Sequence, residues 1–262
     1  MLEMYKESGI TPLEFINTIK KQYPNKKICY TARLDPMARG KIPILFDDEC
    51  KQMYLYTNLS KTYEVKIMIG YKTDSDDILG MFESDPDPDP DNNTNSKIMS
   101  SNDIITKYRT FFEIENEINI IQKYHYFSTK ALLSRNKHKD KEYDKDSDKD
   151  SDKDFNKNSE YFHNVKLFSS KIIDNGELNF DEWCNICIAL IDKVDKTKNF
   201  RQKEIIKQWQ SLLNGKIKSI QYISLKLHVG SGFFVRQFIR DISDSIHIPL
   251  LCYDIHRISI DY

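Results

Sequence analysis

The sequence predicts a domain that mixes strands with helices, and three observations carry that reading. Runs of alternating polarity, Tyr63-Glu-Val-Lys-Ile-Met-Ile69 and Ser219 to Val229, have the period of half-buried strands. Segments with helical periodicity lie around them: Pro12 to Tyr23, Ser101 to Phe112, Phe180 to Lys196 and Asn199 to Leu213. Two low-complexity tracts, 84–97 and 137–160, supply too few apolar residues to join a core and read as solvated insertions.

At 262 residues the chain has ample length for a core, and we read it as one domain over 1–262. Lys and Arg number 39 against 40 Asp and Glu, a formal charge of -1. Near-neutrality leaves RNA binding open, because part of the acid is confined to the two tracts. Five cysteines, an odd number, without a secretory apolar region at the start point to a reducing intracellular setting, the cytoplasm, with the nucleus left open. No apolar run approaches membrane-spanning length.

Taken in order, Thr11-Pro-Leu-Glu14 is a capping box with Pro at the first helical position. It predicts a helix over Pro12 to Tyr23 with Leu13, Ile16 and Ile19 on one face. In Tyr30-Thr-Ala-Arg-Leu-Asp-Pro-Met-Ala-Arg-Gly40 an acid stands directly before a proline. Proline fixes its own φ and turns the preceding residue away from helix. Asp35 is therefore expected in a stiff loop, where a carboxylate can serve as a nucleophile. Taken alone, the dipeptide reads as an ordinary turn. Next comes the Lys61-Thr-Tyr63 strand, which ends at Gly70 and leads into Thr73-Asp-Ser-Asp-Asp-Ile-Leu-Gly80.

Beyond the Asp-Pro tract, Ile114 to Lys130 is apolar and aromatic. Asp144 to Asp154 carries Asp at every second position but lacks the turn glycine and closing glutamate of a calcium loop, so no metal site is expected. Asn164 to Ile173 reads as a strand. Trp183-Cys-Asn-Ile-Cys187 has a thioredoxin-like spelling, yet its apolar residues belong to a helix face already under way, which favours core packing. Ile223, Leu225, Leu227 and Val229 share one side of a strand. Gly230-Ser-Gly-Phe-Phe-Val-Arg236 then turns from strand to helix and sets a cation and free N–H groups where a phosphate or carboxylate could sit.

Thr31, Leu34, Asp35, Pro36, Ala38, Gly40, Pro43, Lys51, Lys61, Tyr63, Gly70, Thr73, Asp74, Asp77 and Gly80 follow, in order and spacing, the motifs of one family. Gly232, Phe234, Val235, Arg236, Ile239, Asp241 and Ile242 follow its C-terminal motif. The chain resembles the TruB family of RNA pseudouridine synthases. That resemblance implies an α+β fold, a mixed and largely antiparallel sheet with packed helices, and conversion of uridine to pseudouridine in RNA. The tRNA T-arm is the default substrate, RNA the partner, and no cofactor is required. A non-catalytic RNA-binding relative of the same fold is the alternative.

By the same resemblance Asp35 is the nucleophile, Tyr63 lies against the uracil, and Val235 with Arg236 lines the base pocket. The family's Tyr-x-Arg motif has its best match at Tyr143 and Lys145, making Lys145 the cation beside Asp35; Arg33, Arg39 and Arg236 are the other candidates. Tyr30 stands where the family usually has His, at a position that meets the flipped base. Phe180 to Leu213 is expected as a helical insertion, and no C-terminal RNA-binding domain is expected after Tyr262.

Overall fold

The computed structural model describes residues 1–83, 99–123, 162–213, 215 and 217–262. The low-complexity tracts at 84–97 and 137–160, with Tyr143 and Lys145, lie outside the described residues. Eight described strands form one sheet: β1 (Leu2–Lys6), β2 (Ile28–Tyr30), β3 (Ala38–Phe46), β4 (Lys61–Ile69), β5 (Ile118–Lys123), β6 (Phe162–Asn179), β7 (Ser219–Val229) and β8 (Leu250–Ile260). Their order is β1-β3-β8-β4-β7-β6-β5, with β2 paired to β3. Only β3 and β8 run parallel among the described pairs. The helices are α1 (Pro12–Gln22), α2 (Tyr54–Thr57), α3 (Ser101–Phe112), α4 (Phe180–Lys193), α5 (Gln202–Ser211) and α6 (Val235–Ile246). The fold is α+β, with a mixed and largely antiparallel sheet.

Both faces of the sheet are covered, and the two-residue period of the strands decides which side chain goes where. Val65, Ile67 and Ile69 of β4 pack with α1, α3 and α6, while Met68 between them joins α4 and α5 on the opposite face. β8 divides likewise, Leu250 and Cys252 to the first cluster and Leu251 to the second. A strand buried on both sides loses the polar half of its alternation. That is why β8, with no clear alternation at its start, gave no signal in sequence.

The α1 capping box forms as expected: the Glu14 N–H donates to Thr11 Oγ1 at 3.2 Å, and the Thr11 N–H donates to the Glu14 carboxylate at 2.8 Å. Its buried face is different. Leu13 is 53% exposed, and Phe15 joins Ile16 and Ile19 in the core. With 3.6 residues per turn, Leu13 falls about 110° from the centre of that stripe. β6 runs past Ile173 to Asn179, because Asp174 to Asn179 keep pairing with β7 as far as Ser219. Main-chain pairing there overrides the turn chemistry of Asp174-Asn-Gly176. The helices α4 and α5 are shorter than their periodicity, and Arg201 takes a left-handed conformation (φ 61°) before α5 begins.

Trp183, Cys184 and Cys187 are buried between α4, α5 and the sheet, as the packing reading expects. Burial pushes the Cys184 thiol up to about 12 and the Cys187 thiol well above its ordinary value. Thiols held so far from ionisation are poor nucleophiles.

Candidate active site

The β2–β3 connection, Thr31 to Met37, is the loop that carries Asp35. The Ala38 N–H donates to the Asp35 carbonyl at 3.0 Å, closing a turn with Pro36 at its second position, where a fixed φ is favourable. Two buried cations grip this loop from opposite ends. Arg257 of β8 donates to the carbonyls of Ala32 and Arg33, both at 3.2 Å, and to that of Lys41 at 2.7 Å. Lys6 of β1 donates to Pro36 O at 3.3 Å and Ala38 O at 2.7 Å. Burial lowers the Lys6 ammonium to about 8, with Asp35 opposing the shift. Glycine is required at position 40: a Cβ there would stand 2.2 Å from the Arg257 carbonyl oxygen, at a φ of +125°.

The Asp35 carboxylate meets Arg236 in the first turn of α6, Nη2 to Oδ2 at 2.7 Å. Arg236 is itself fixed from behind. Its Nη1 donates to Asp77 Oδ2 at 3.0 Å and to the Ser75 carbonyl at 2.9 Å. Asp77 in turn accepts from Ser75 Oγ at 2.7 Å and from the Leu79 N–H at 3.0 Å. Burial pushes the Asp77 carboxyl above its ordinary range; the Arg236 guanidinium and the Ser75 hydroxyl pull it back. Arg236 stays a cation, since the carboxylates of Asp35 and Asp77 outweigh the burial that works against its charge. A guanidinium shared in this way is a rigid, geometrically specific partner for a carboxylate.

The turn that supplies Asp77 is tightly built. Gly80 leaves no room for a Cβ, which would stand 2.4 Å from Ser75 Oγ. Arg240, one turn along α6 from Arg236, grips Asp76 through both carboxylate oxygens at 2.7 and 2.6 Å. Two arginines at i and i+4 thereby staple α6 to the 73–80 turn, and only the first points on to Asp35.

Around Asp35 opens a cleft of about 540 Å³, within the range that holds small ligands. Tyr63, Val235, Arg236 and Lys61 line it with Asp35, as do Arg33 and Phe234. Lys61 and Tyr63 are alternate residues of β4 and so face the same side. The register Lys61↔Val229 between β4 and β7 brings the start of α6 to this end of the sheet. The side chains differ in exposure: Asp35 is 49% open and Arg236 9%. Thr31 also lines the cleft, and its buried hydroxyl has no hydrogen-bond partner among the described residues.

Five expected site residues thus have described positions, and four of them meet in one cleft: Asp35, Tyr63, Val235 and Arg236. Tyr30 does not line it; its ring is half-buried against the main core. Of the alternative cations, Arg236 holds Asp35, whereas Arg39 is committed to Asp254 at 2.7 Å and to the Tyr5 hydroxyl at 2.9 Å. Sequence reasoning assigned no role to Lys6, Arg257, Asp77 or Gln122. The Gln122 side chain imitates a strand, accepting from the Phe234 N–H at 2.9 Å and donating to its carbonyl at 3.1 Å. That contact fixes the entry to α6. Arg257 carries no local sequence signal.

Residues 20–109 match the profile of the TruB family pseudouridylate synthase N-terminal domain, a stretch that contains Asp35, Tyr63 and Asp77. That stretch is similar to the N-terminal domain of TruB-family enzymes. A tRNA pseudouridine synthase B from Blochmanniella pennsylvanica (strain BPEN) is 36% identical over 120 residues, 45% of this chain and 42% of the relative. One from Oceanobacillus iheyensis is 29% identical over 80 residues, 30% of this chain and 26% of the relative. The chain thus matches less than half the length of these curated relatives. A solved H/ACA RNP bound to a substrate RNA containing 2'-deoxyuridine superposes with a TM-score of 0.48 at 12% identity, over 98% of this chain and 45% of that one. No helix among the described residues is long and apolar enough to cross a membrane.

Proposed function

We propose that this protein is an RNA pseudouridine synthase acting within the cell, with residues 1–262 forming one catalytic domain. The observation that carries the reading is the placement of Asp35: half open to the cleft, one carboxylate oxygen held by the buried Arg236, and the Tyr63 ring in the same cavity wall. The rival reading, a binding-only relative that has lost the cation beside the acid, lacks support, because Arg236 stands in that position. Five free thiols, three of them buried, fit a reducing compartment.

The reaction detaches uracil from ribose, turns it and rejoins it through C5, so no electrons are exchanged and no cofactor takes part. Asp35 attacks C1′ as uracil departs through N1, or adds to C6 across the C5–C6 double bond; either way the carboxylate is released once C5 has bonded to C1′, C5 gives up its proton and N1 takes one up. Arg236 orients the carboxylate, and Asp77 orients Arg236. Tyr63 lies against the base, a contact worth about 1–3 kcal/mol, which offsets much of the few kcal/mol spent in extruding a nucleotide. The unpartnered Thr31 hydroxyl and the apolar Val235 complete the pocket floor. The relatives' names make tRNA the first substrate to test, with the T-arm uridine the default position. Incubation with uridine-containing tRNA and quantification of pseudouridine tests the proposal; product with the native chain and none with Asp35→Ala is expected. Absence of product from every RNA, with the fold intact, would return the binding-only reading.

A further inference from the structure

Cys29 and Cys50 are half-buried, whereas Cys184, Cys187 and Cys252 are buried. The two half-buried thiols come from different segments and converge on one residue. Cys29 of β2 pairs with Leu45 of β3 in the antiparallel ladder. After β3 the chain doubles back through a short 3₁₀ stretch, Asp47–Gln52, which returns Cys50 to the same place. There the Cys50 S–H donates to the Leu45 carbonyl at 3.4 Å, with the Lys27 carbonyl at 3.8 Å. The stretch is anchored at its start, where the Asp47 N–H donates to the Lys27 carbonyl at 2.9 Å and the Phe46 N–H to the Glu49 carboxylate at 3.1 Å. Burial, with the Cys50 thiol beside it, pushes the Cys29 thiol up to about 11.

What lies between these cysteines is the whole Asp35 loop and β3. Cys29 stands two residues before the loop begins, and the 3₁₀ stretch leads on to Thr57 of α2, whose carbonyl accepts from Ser231 at 2.9 Å in the cleft wall. We propose that Cys29 and Cys50 form a reversible intramolecular disulfide, a redox clasp that closes residues 29–50 into a ring. The step is thiol–disulfide exchange with a low-molecular-weight disulfide. The Cys50 thiolate attacks one sulfur of that disulfide and expels the other half as a thiol. Cys29 then gives its proton to solvent and attacks the Cys50 sulfur, expelling the second half. Two protein thiols are oxidised to one bond, and one small disulfide is reduced to two thiols. The first exchange also removes the Cys50 charge that opposes ionisation of Cys29. Ring closure restricts the unfolded chain, so the oxidised form is the more stable. The clasp is independent of the reaction proposed above.

The test equilibrates the full native chain in glutathione buffers of rising oxidised-to-reduced ratio, traps the remaining thiols by alkylation and maps them by mass spectrometry. A loss of two hydrogens shared by the Cys29 and Cys50 peptides is expected. Its midpoint should depend on the square of the reduced glutathione concentration, because each bond releases two thiols. Cys29→Ser, which lacks the second thiol, is expected to stop with one glutathione on Cys50. The oxidised native chain is expected to unfold at a higher denaturant midpoint than the reduced one, a shift that dithiothreitol reverses and Cys29→Ser does not show. Free or singly glutathionylated thiols at every ratio, a bond to any other cysteine, or a midpoint unchanged or lowered by oxidation overturns the clasp. The native chain alone yields each of these outcomes, so a variant that fails to fold leaves the test intact.

Discussion

Two motifs with chemical spellings lie on opposite sides of one sheet, and they meet opposite fates. Asp35 opens onto a cleft, held by a cation that is itself held by a second acid. Cys184 and Cys187 are sealed among Trp183, Trp209 and Ile191, where burial above all, with Asp181 adding to it at Cys184, raises their thiols out of the reactive range. Both segments place a reactive group beside its motif partners. The difference is the surrounding charge: an ionisable group surrounded only by apolar atoms is neutral packing, and the same group beside a fixed counter-charge and an opening is chemistry.

Substitution on the two sides breaks or sharpens this contrast. Asp35→Asn is expected to lower product formation by about 10⁴-fold or more, the scale for losing a covalent nucleophile, with RNA affinity retained. Cys184→Ala with Cys187→Ala should leave kcat unchanged and cost about 1–3 kcal/mol of stability, seen as a lowered denaturant midpoint. Loss of turnover in the thiol double variant, with its fold intact, would erase the contrast.

Arg236 is the next most sensitive point. Arg236→Met leaves Asp77 buried without its cation, a loss of about 3–5 kcal/mol in stability by denaturant titration. Asp77→Asn is gentler in shape but turns a donor toward Arg236 Nη1, so the guanidinium is released. Turnover is expected to fall by about 10²-fold while KM for RNA holds, since Asp77 touches Arg236 and no substrate. Tyr63→Leu comes third: loss of about 1–3 kcal/mol of stacking predicts a fall of roughly 5- to 150-fold in kcat/KM.

How much of this was legible in sequence follows from whether each residue carried its own local pattern. Asp35 had a proline after it, Tyr63 a two-residue alternation, Arg236 a glycine turn before it, and all three reach the same cleft. The partner of Asp35 could not be read that way. Four cations were candidates, and choosing among them needs the pairing of β4 with β7, which sequence spacing does not encode. Arg257 and Gln122 are harder still. Their partners are carbonyls and N–H groups that every residue owns, so nothing in the composition of Ala32, Arg33 or Phe234 marks them as partners. Leu13 was misplaced for a plainer reason: a bulkier Phe15 claimed the core side of the helix.

Lys61 yields the smallest effect and the only one that pH can isolate. Its side chain lines the cleft, its ammonium donates to the Leu59 carbonyl, and burial, reinforced by the nearby Arg257, lowers it from 10.5 to about 8. Below pH 8 the folded chain therefore offers a ligand in the cleft a cation at this point, and above it a neutral amine. Affinity for RNA should fall as pH rises through about 8, by about tenfold, the scale of one charge-assisted contact. Stability moves the other way. The unfolded chain binds this proton up to 10.5 and the folded chain only to about 8, so the contribution of Lys61 to stability rises with pH across that window. Lys6 titrates over the same range but faces the loop carbonyls, so a control must separate them. Lys61→Arg is that control: it keeps its charge at pH 9, and binding isotherms between pH 7 and 9 should be flat for the variant and sloped for the native chain. A slope that survives in Lys61→Arg would assign the titration to Lys6 and to the grip on the Asp35 loop instead.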